Sequence, residues 1–273
     1  MTYKSILVNI DIDRPSGNLV RFAAELATRF DAHLIGFGAA AVPLPPVPTE
    51  GVIFDGEIMR EQVEEIERRL EKLRTDFHAI AGSGPEREWR GGVGSPTHLL
   101  VEAARAADLI VTQSPDGASS GSTHRCVHLG DLVLQSGRPV LVAAGGAERM
   151  LSNRALIAWK DTREARRAVV DALPLLARTK EVRVITVEND ADDSCLNSAT
   201  DVVTFLSRHG IKADAEVFRE NSGAWTVAEL AKMMEADLVV SGGYGHSRLR
   251  EWVFGGVTRS LLDEQKLNRF MSN

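Results

Sequence analysis

One stretch of the sequence combines closely spaced glycines with cationic and hydroxyl side chains, the residue types that hold an anionic group. Its candidate residues are Gly242, Gly245, His246, Ser247, Arg248, Gly255, Gly256, Val257 and Thr258. Glycines let the backbone approach a ligand closely, and free N–H groups at a helix start carry the partial positive charge that binds phosphate. We predict such a helix from Val257 to Leu262. The competing interpretation is that the glycines form tight turns and the arginines are only solvated.

A second cluster has residue types that bind metals. His124, Cys126 and His128 stand at alternate positions, so on a strand they would share one face. The adjacent Leu129 and the run Leu132–Leu134 instead favour a helix through this segment, and on a helix side chains two positions apart diverge. We therefore predict no metal site here.

The composition narrows the class of protein. The chain has 273 residues, 44% of them apolar, which is enough for two domains that each bury a core. Its net charge of -6 argues against a protein that coats nucleic acid or an anionic membrane. Because no apolar run approaches the ~18 residues of a membrane span, and a strand pattern opens the chain, we expect a cytosolic protein without a signal peptide. Cys126 and Cys195 are expected to be packed thiols, not a disulfide framework.

Strands and amphipathic helices alternate along the first half. The predicted strands are Ser5–Ile12, Ala32–Phe37, a short strand around Glu88–Arg90, Asp108–Thr112 and Pro139–Ala143. Helices are predicted around the apolar positions from Leu19 to Phe30, around the stripe Val63, Ile66, Leu70, Leu73, Phe77 and Ile80, and over Pro96–Ala106. The stripe covers fewer than three heptads, which favours a helix lying on a sheet over a coiled coil.

The second half repeats this order. Its predicted strands are Ala155–Trp159, Val182–Val187, Ala215–Arg219 and Asp237–Ser241, with helices from Arg163, over Ala199–Ser207 and over Thr226–Met234. A shift of 129 positions aligns the fourth strands of the two halves without a gap. We predict an α/β fold of two tandem, doubly wound, Rossmann-like parallel-sheet domains, spanning residues 1–146 and 151–273.

The spacing of the glycines resembles a known nucleotide-binding signature. Gly242-x-x-Gly245, nine residues and Gly255 is similar to the G-x-x-G, nine residues, G-[S/T] pattern of the universal stress protein family. The resemblance extends to the opening strand Ile6–Asp11, to the fourth strand of both halves and to a fifth strand at Gly137–Val142. It identifies the chain as a tandem member of that family. It implies sheets of strand order 3-2-1-4-5 and a site for ATP, with or without Mg²⁺, with adenine near the first two strands and phosphates on the glycine loop.

The second half departs from the family pattern at two positions. Gly256 stands where the family has Ser or Thr, so one phosphate-binding hydroxyl is missing, and Thr258 is the candidate substitute. Lys160, followed by Asp161, stands where the family has an acidic residue near the adenine and ribose. The resemblance also assigns Ala158 and Val187, at the ends of the first two strands, to the base end of the site. We expect a retained but altered nucleotide site.

The first half keeps the opposite parts of the pattern. Asp11 matches the family's acidic residue, whereas Thr112–Gly121 replaces the glycine loop and Asp131 stands where the hydroxyl is expected. Since Asp131 would repel a phosphate, we predict that this half binds no triphosphate. The alternative role of Asp11 and Asp13 is a capped turn ahead of Ser16.

The function expected from these features is adenine-nucleotide binding in stress response or signalling. No catalytic base is evident, so any ATP hydrolysis should be slow. An alternative is an interaction module with vestigial clefts, whose two halves form an internal pseudo-dimer; Pro139–Ala143 is a suitable apolar pairing strand, while Leu267–Asn273 is more polar. Two chains could also form a homodimer. A third alternative, from the similarity of Ser241–Ser247 to the SGGxDS loop of ATP pyrophosphatases, is disfavoured because that loop belongs after the first strand and its Asp is absent.

Overall fold

The computed structural model describes residues 2–42, 56–82, 86–113, 124–151, 153–188, 193–219, 226–243 and 266–273. The elements of the first half are β1 (Ser5–Asn9), α1 (Gly17–Phe30), β2 (His33–Ala40), α2 (Gly56–Ala81), β3 (Arg87–Val93), α3 (Pro96–Ala103), β4 (Leu109–Gln113), α4 (Leu129–Gln135) and β5 (Val140–Ala143). Those of the second half are β6 (Arg154–Ala158), α5 (Arg163–Leu176), β7 (Glu181–Glu188), α6 (Asp193–Arg208), β8 (Ala213–Arg219), α7 (Val227–Met233), β9 (Leu238–Gly242) and β10 (Asn268–Ser272). The predicted α/β alternation of strands and helices is confirmed.

All ten strands form one sheet, in the order β3-β2-β1-β4-β5-β10-β9-β6-β7-β8. Each half of that order is the predicted 3-2-1-4-5 arrangement, the second half running in reverse. Neighbouring strands are parallel within each half, and β5 and β10 meet antiparallel at the centre. The strand order therefore reverses at two places, around β1 and around β6.

Corresponding strands also pair in corresponding registers. Leu109 and Leu238, which the shift of 129 positions aligns, each lie opposite the second residue of the first strand of their half, Ile6 and Ala155. The carboxyl end of β1 beside β4 and that of β6 beside β9 are therefore equivalent places in the sheet.

The apolar stripe on α2 packs as a helix on a sheet. Ile66, Leu70, Leu73 and Phe77 are buried, and the helix contacts α1, β2 and β3. The long helix therefore covers one face of the first half, as the spacing predicts.

The C-terminal segment is more ordered than its polar sequence suggests. Residues 268–272 form a strand whose side chains are all buried. The amide of Asn268 is hydrogen-bonded at both ends: its Oδ1 accepts from the N–H of Ala144 at 2.9 Å, and its Nδ2 donates to the carbonyl of Asp237 at 2.9 Å. These contacts offset the cost of burying an amide and connect the first half to the second.

Side chains reinforce the junction between the halves. Tyr3 Oη donates to the carbonyl of Asp171 at 2.6 Å, and burial raises the pKa of this phenol well above its usual value. Within the second half, Ser272 Oγ donates to the carboxylate of the same Asp171 at 2.6 Å. The guanidinium of Arg178 lies 5.0 Å from the centre of the Phe30 ring, within the range of a cation–π contact. Because Tyr3, before β1, contacts α5, and Phe30, at the end of α1, contacts the segment after α5, the halves pack together through more than the central strand pair.

No helix in the described ranges is both long and apolar enough to span a membrane.

Candidate functional site

The second half has its crevice where β6 lies between β7 and β9. In a doubly wound sheet this reversal of strand order, at the carboxyl ends of the strands, is where a ligand binds. Ala158 at the end of β6 lies opposite Ser241 of β9, and Gly242 ends β9. Val187 precedes the last residue of β7. The described part of the predicted site therefore does come together at one edge of the sheet.

The remaining predicted residues of this site lie outside the described part of the chain. They are Gly245, His246, Ser247, Arg248, Gly255, Gly256, Val257 and Thr258. The predicted helix from Val257 to Leu262 falls in the same region.

The two charged residues after β6 already have partners. Lys160 Nζ lies 3.0 Å from Oε1 of Glu188, the last residue of β7. Asp161 Oδ1 accepts hydrogen bonds from Nε and Nη2 of Arg166, at 3.0 and 2.5 Å. Asp161 is thus turned to α5, whereas Lys160 and Glu188 join the ends of the first two strands. Glu188 was not among the predicted site residues; its position directly after the strand that ends at Val187 was the available signal.

Packing explains why position 242 is a glycine. A Cβ there would lie 2.6 Å from the backbone nitrogen of Ala165 and 2.7 Å from the carbonyl carbon of Glu164. The first turn of α5 can approach β9 this closely only because no side chain intervenes. At this residue the tight-packing interpretation accounts for the glycine without a ligand.

The start of the glycine loop is held by the C-terminal strand and by the first half. The N–H of Gly243 donates to the carbonyl of Ser272 at 2.8 Å, and its carbonyl accepts from Asn273 Nδ2 at 2.7 Å. A Cβ at position 243 would lie 2.7 Å from Cγ1 of Val133 in α4. The loop therefore leaves the sheet from a fixed point.

Polar groups continue along the edge from Lys160 towards α6. Trp159 is buried, and its Nε1 donates to Ser198 Oγ at 2.9 Å. Its backbone N–H donates to the carbonyl of Ile185, which places it beside Thr186 of β7. The Thr186 hydroxyl is buried and has no hydrogen-bond partner in the part of the chain that the structure describes.

The equivalent crevice of the first half is nearly filled. It lies between the turn after β1, the end of β4 and the segment before α4, and it is lined by Asp11, Arg14, Thr112 and Cys126, among others. Its cavity is about 20 Å³, room for about one water molecule and far too little for a nucleotide. Asn9 Nδ2 donates to Thr112 Oγ1 at 3.0 Å across its floor.

Asp11 stabilises its own turn. Its Oδ1 accepts from the N–H of Asp13 at 2.9 Å, and Arg14 Nε lies 3.6 Å from its other oxygen. Burial raises the pKa of Asp11, although the Asp13 N–H opposes that shift. The predicted turn is present, but Ser16 makes no side-chain cap to α1.

A ring of four charged residues lies beside the first crevice. Arg125 donates to both carboxylate oxygens of Asp13, at 2.6 and 2.9 Å, and its Nη1 lies 3.7 Å from Glu65. Arg69 of α2 pairs with both Asp13 and Glu65. The hydrogen bonds from Arg125 lower the pKa of Asp13. The ring joins α2 to the turn after β1 and to the segment before α4.

The segment before α4 is a turn, which corrects the predicted helix. Residues 124–126 form the turn, and α4 begins only at Leu129, with His128 as its N-cap residue. Asp131 in the first turn lies 3.0 Å from Nδ1 of His128. Because a carboxylate already sits at this helix start, an incoming phosphate would be repelled there. No cluster of three or more metal-binding side chains occurs among the described residues.

Comparisons with known proteins agree with this fold. The universal stress protein family model matches residues 2–130. A universal stress protein from Archaeoglobus fulgidus superposes with a TM-score of 0.69, covering 98% of this chain and 96% of that chain at 16% identity. A protein of unknown function from Pseudomonas aeruginosa PAO1 gives a TM-score of 0.60, with coverage of 99% and 92% at 17% identity.

A universal stress protein solved in complex with cAMP covers 52% of this chain and 97% of its own, at 25% identity. Its TM-score of 0.34 gives no basis for transferring that ligand. No curated protein matches the sequence significantly. The universal stress protein family model thus matches the first half of this chain, and the solved structures, at 16–17% identity, share its fold along the whole chain.

Proposed function

We propose that this chain binds ATP or a related adenine nucleotide through its second half and acts in stress response or signalling. One observation carries the proposal: β6 and β9, the strands at the reversal of strand order, end together, and β9 leads directly into the G-x2-G-x9-G segment. A backbone rich in glycine at that edge is suited to phosphate.

The charges at the second crevice are compatible with an anionic ligand. Lys160 is mostly exposed and forms an ion pair with Glu188 at the surface. An exposed pair of this kind contributes about 0–1 kcal/mol, so it can rearrange around a ligand at little cost. Lys160 is therefore a candidate cation for the site, whereas Asp161 is committed to Arg166.

For the first half we propose a structural or interaction role. Its small cavity and Asp131 at the start of α4 both oppose nucleotide binding. This is the part of the chain that favours the alternative of an interaction module with a vestigial cleft.

We also propose that the two halves are tandem domains that pair internally. The antiparallel contact of β5 with β10 supports this arrangement, because it uses both fifth strands within one chain. A homodimer of two chains would then need another surface. The cytoplasm is the proposed compartment, supported by Cys126 and Cys195, which are not joined in a disulfide.

We do not assign catalysis. Among the described residues of this crevice, the carboxylates of Asp161 and Glu188 are each paired with a cation, and the sequence has no P-loop lysine in the glycine segment. Hydrolysis of bound ATP is expected to be slow.

Equilibrium dialysis with labelled ATP tests the proposal. We expect wild type to bind and Gly245→Asp, which places a negative charge in the glycine loop, to lose binding at least tenfold, roughly 1.4 kcal/mol. Gly56→Asp is the matched control, because Gly56 is exposed and an added Cβ would meet no atom within 4 Å. Absence of binding at millimolar ATP, or equal binding by Gly245→Asp and wild type, would refute the proposal.

A further inference from the structure

The two halves place opposite charges at equivalent strand ends. The pairing of β1 with β2 starts at Ser5 with His33, and that of β6 with β7 starts at Arg154 with Glu181. Counting along the strands from these pairs makes Asp11 equivalent to Lys160, and Ala40 equivalent to Glu188. The first half thus has its carboxylate after the first strand and none at the end of the second. The second half has a cation after the first strand and its carboxylate at the end of the second.

Glu188 places a carboxylate at the end of the second strand of the second half, next to Lys160, whereas Asp161 lies after the first strand and is turned to α5. The Glu188 side chain is 32% exposed and is held at 3.0 Å by Lys160 Nζ. Asp161, the other carboxylate nearby, accepts two hydrogen bonds from Arg166 on α5. Two residues before Glu188, and therefore on the same face of β7, the buried hydroxyl of Thr186 has no partner among the described residues.

The end of the second strand is a suitable position for a carboxylate that binds ribose hydroxyls. In Rossmann folds whose glycine loop follows the first strand, an acidic residue about 20 residues further on accepts a hydrogen bond from a ribose hydroxyl. Here the glycine loop follows the fourth strand instead, and Glu188 lies at the end of the strand beside β6, on the side of the crevice away from that loop. An ionised carboxylate accepts such bonds strongly, and a neighbouring ammonium keeps it ionised and oriented.

We propose that Glu188, positioned by Lys160, is the residue that binds the ribose hydroxyls of the nucleotide, replacing the acid that is absent at position 160. The ligand is then a ribonucleotide in preference to its deoxy form. This inference rests on the proposed nucleotide site and names the group that selects the sugar.

The test is the affinity of wild type and Glu188→Gln for ATP, 2′,3′-dideoxy-ATP and inorganic tripolyphosphate, measured by equilibrium dialysis. We expect Glu188→Gln to weaken ATP about tenfold, because a hydrogen bond to a charged group is lost, and to leave tripolyphosphate unchanged. Wild type should prefer ATP to the dideoxy form, and the variant should lose that preference. Glu181→Gln is the matched control, since Glu181 begins the same strand and is also ion-paired, with Arg154.

The outcomes separate this inference from the proposed function. If wild type binds ATP but Glu188→Gln binds it equally well and keeps the preference for ATP over the dideoxy form, the role of Glu188 is overturned and the nucleotide site stands. If wild type binds no ATP at all, both are overturned. A loss that Glu181→Gln shares to the same extent also overturns the role of Glu188.

Discussion

At the residue scale, the glycine at position 242 illustrates how one feature can have two explanations. The spacing of the glycines indicates a nucleotide loop, while the structure shows α5 packed where the Cβ would be. The two explanations are compatible, because the loop must leave β9 from a strand end that α5 has closely approached. They make separate predictions, one for stability and one for ligand binding.

Replacing Gly242 with Ala should destabilise the fold. Since the added Cβ would meet backbone atoms that cannot move away individually, we expect a loss of about 1–3 kcal/mol in the free energy of unfolding. Urea denaturation of wild type, Gly242→Ala and the control Gly56→Ala measures it. A loss in Gly242→Ala no larger than that in the control would show that the close approach is absent in solution.

The two aspartates of the first crevice should have opposite effects on the pH dependence of stability. Asp13 has a lowered pKa in the folded protein, so its contribution is present above its unfolded pKa and is lost as the pH falls through the folded value. Asp13→Asn should therefore be less stable than wild type near pH 7, by about 1 kcal/mol or less for this partly exposed pair. The difference should shrink on acidification, as followed by thermal melts between pH 2 and 7.

Asp11 has a raised pKa in the folded protein, so its effect on the pH dependence of stability is opposite to that of Asp13. Its ionisation is less favourable in the folded than in the unfolded protein, so wild type loses stability as the pH rises through the folded pKa. Asp11→Asn, whose amide oxygen can still accept from the Asp13 N–H, should become relatively more stable than wild type above that pH. The same melts would contradict this if the Asp11→Asn difference had the pH trend of Asp13→Asn.

At the scale of elements, the local sequence pattern is sufficient to predict the helices and strands whose buried faces are apolar. The stripe on α2 and the β-branched runs of the central strands predict their structure because burial alone decides it. The strand β10 could not be predicted with equal ease, since its polar residues are stabilised by partners distant in sequence, such as the Ala144 N–H. The turn at residues 124–126 was predicted as helix because leucines follow it, whereas contacts to Asp13 and Glu65 determine its course.

The same limit applies to the candidate site. Lys160 and Asp161 could be assigned to the crevice from the strand pattern, but the partner of each could not. Glu188 approaches Lys160 only because β6 and β7 are adjacent and in a particular register. Charge pairs between strands depend on that register, which the sequence of one strand does not specify.

At the scale of the whole molecule, the continuous sheet should make the two halves unfold together. Phe270 of β10 is fully buried between them. We expect Phe270→Ala to cost about 3–5 kcal/mol and to lower a single calorimetric transition. Leu134→Ala, at an exposed position of α4, is the control and should change little. Two separate transitions in wild type would show that the halves are energetically independent.

The asymmetry between the halves is the central claim about the whole molecule. The first crevice has a cavity of only about 20 Å³ and a carboxylate, Asp131, at the start of α4, whereas the described strand ends of the second crevice present Lys160 and Glu188. Isothermal titration of the full chain with ATP tests this most directly. The account predicts one ATP per chain, with the binding abolished or strongly weakened by Gly245→Asp. Two ATP molecules per chain, or one that is unaffected by Gly245→Asp, would contradict it.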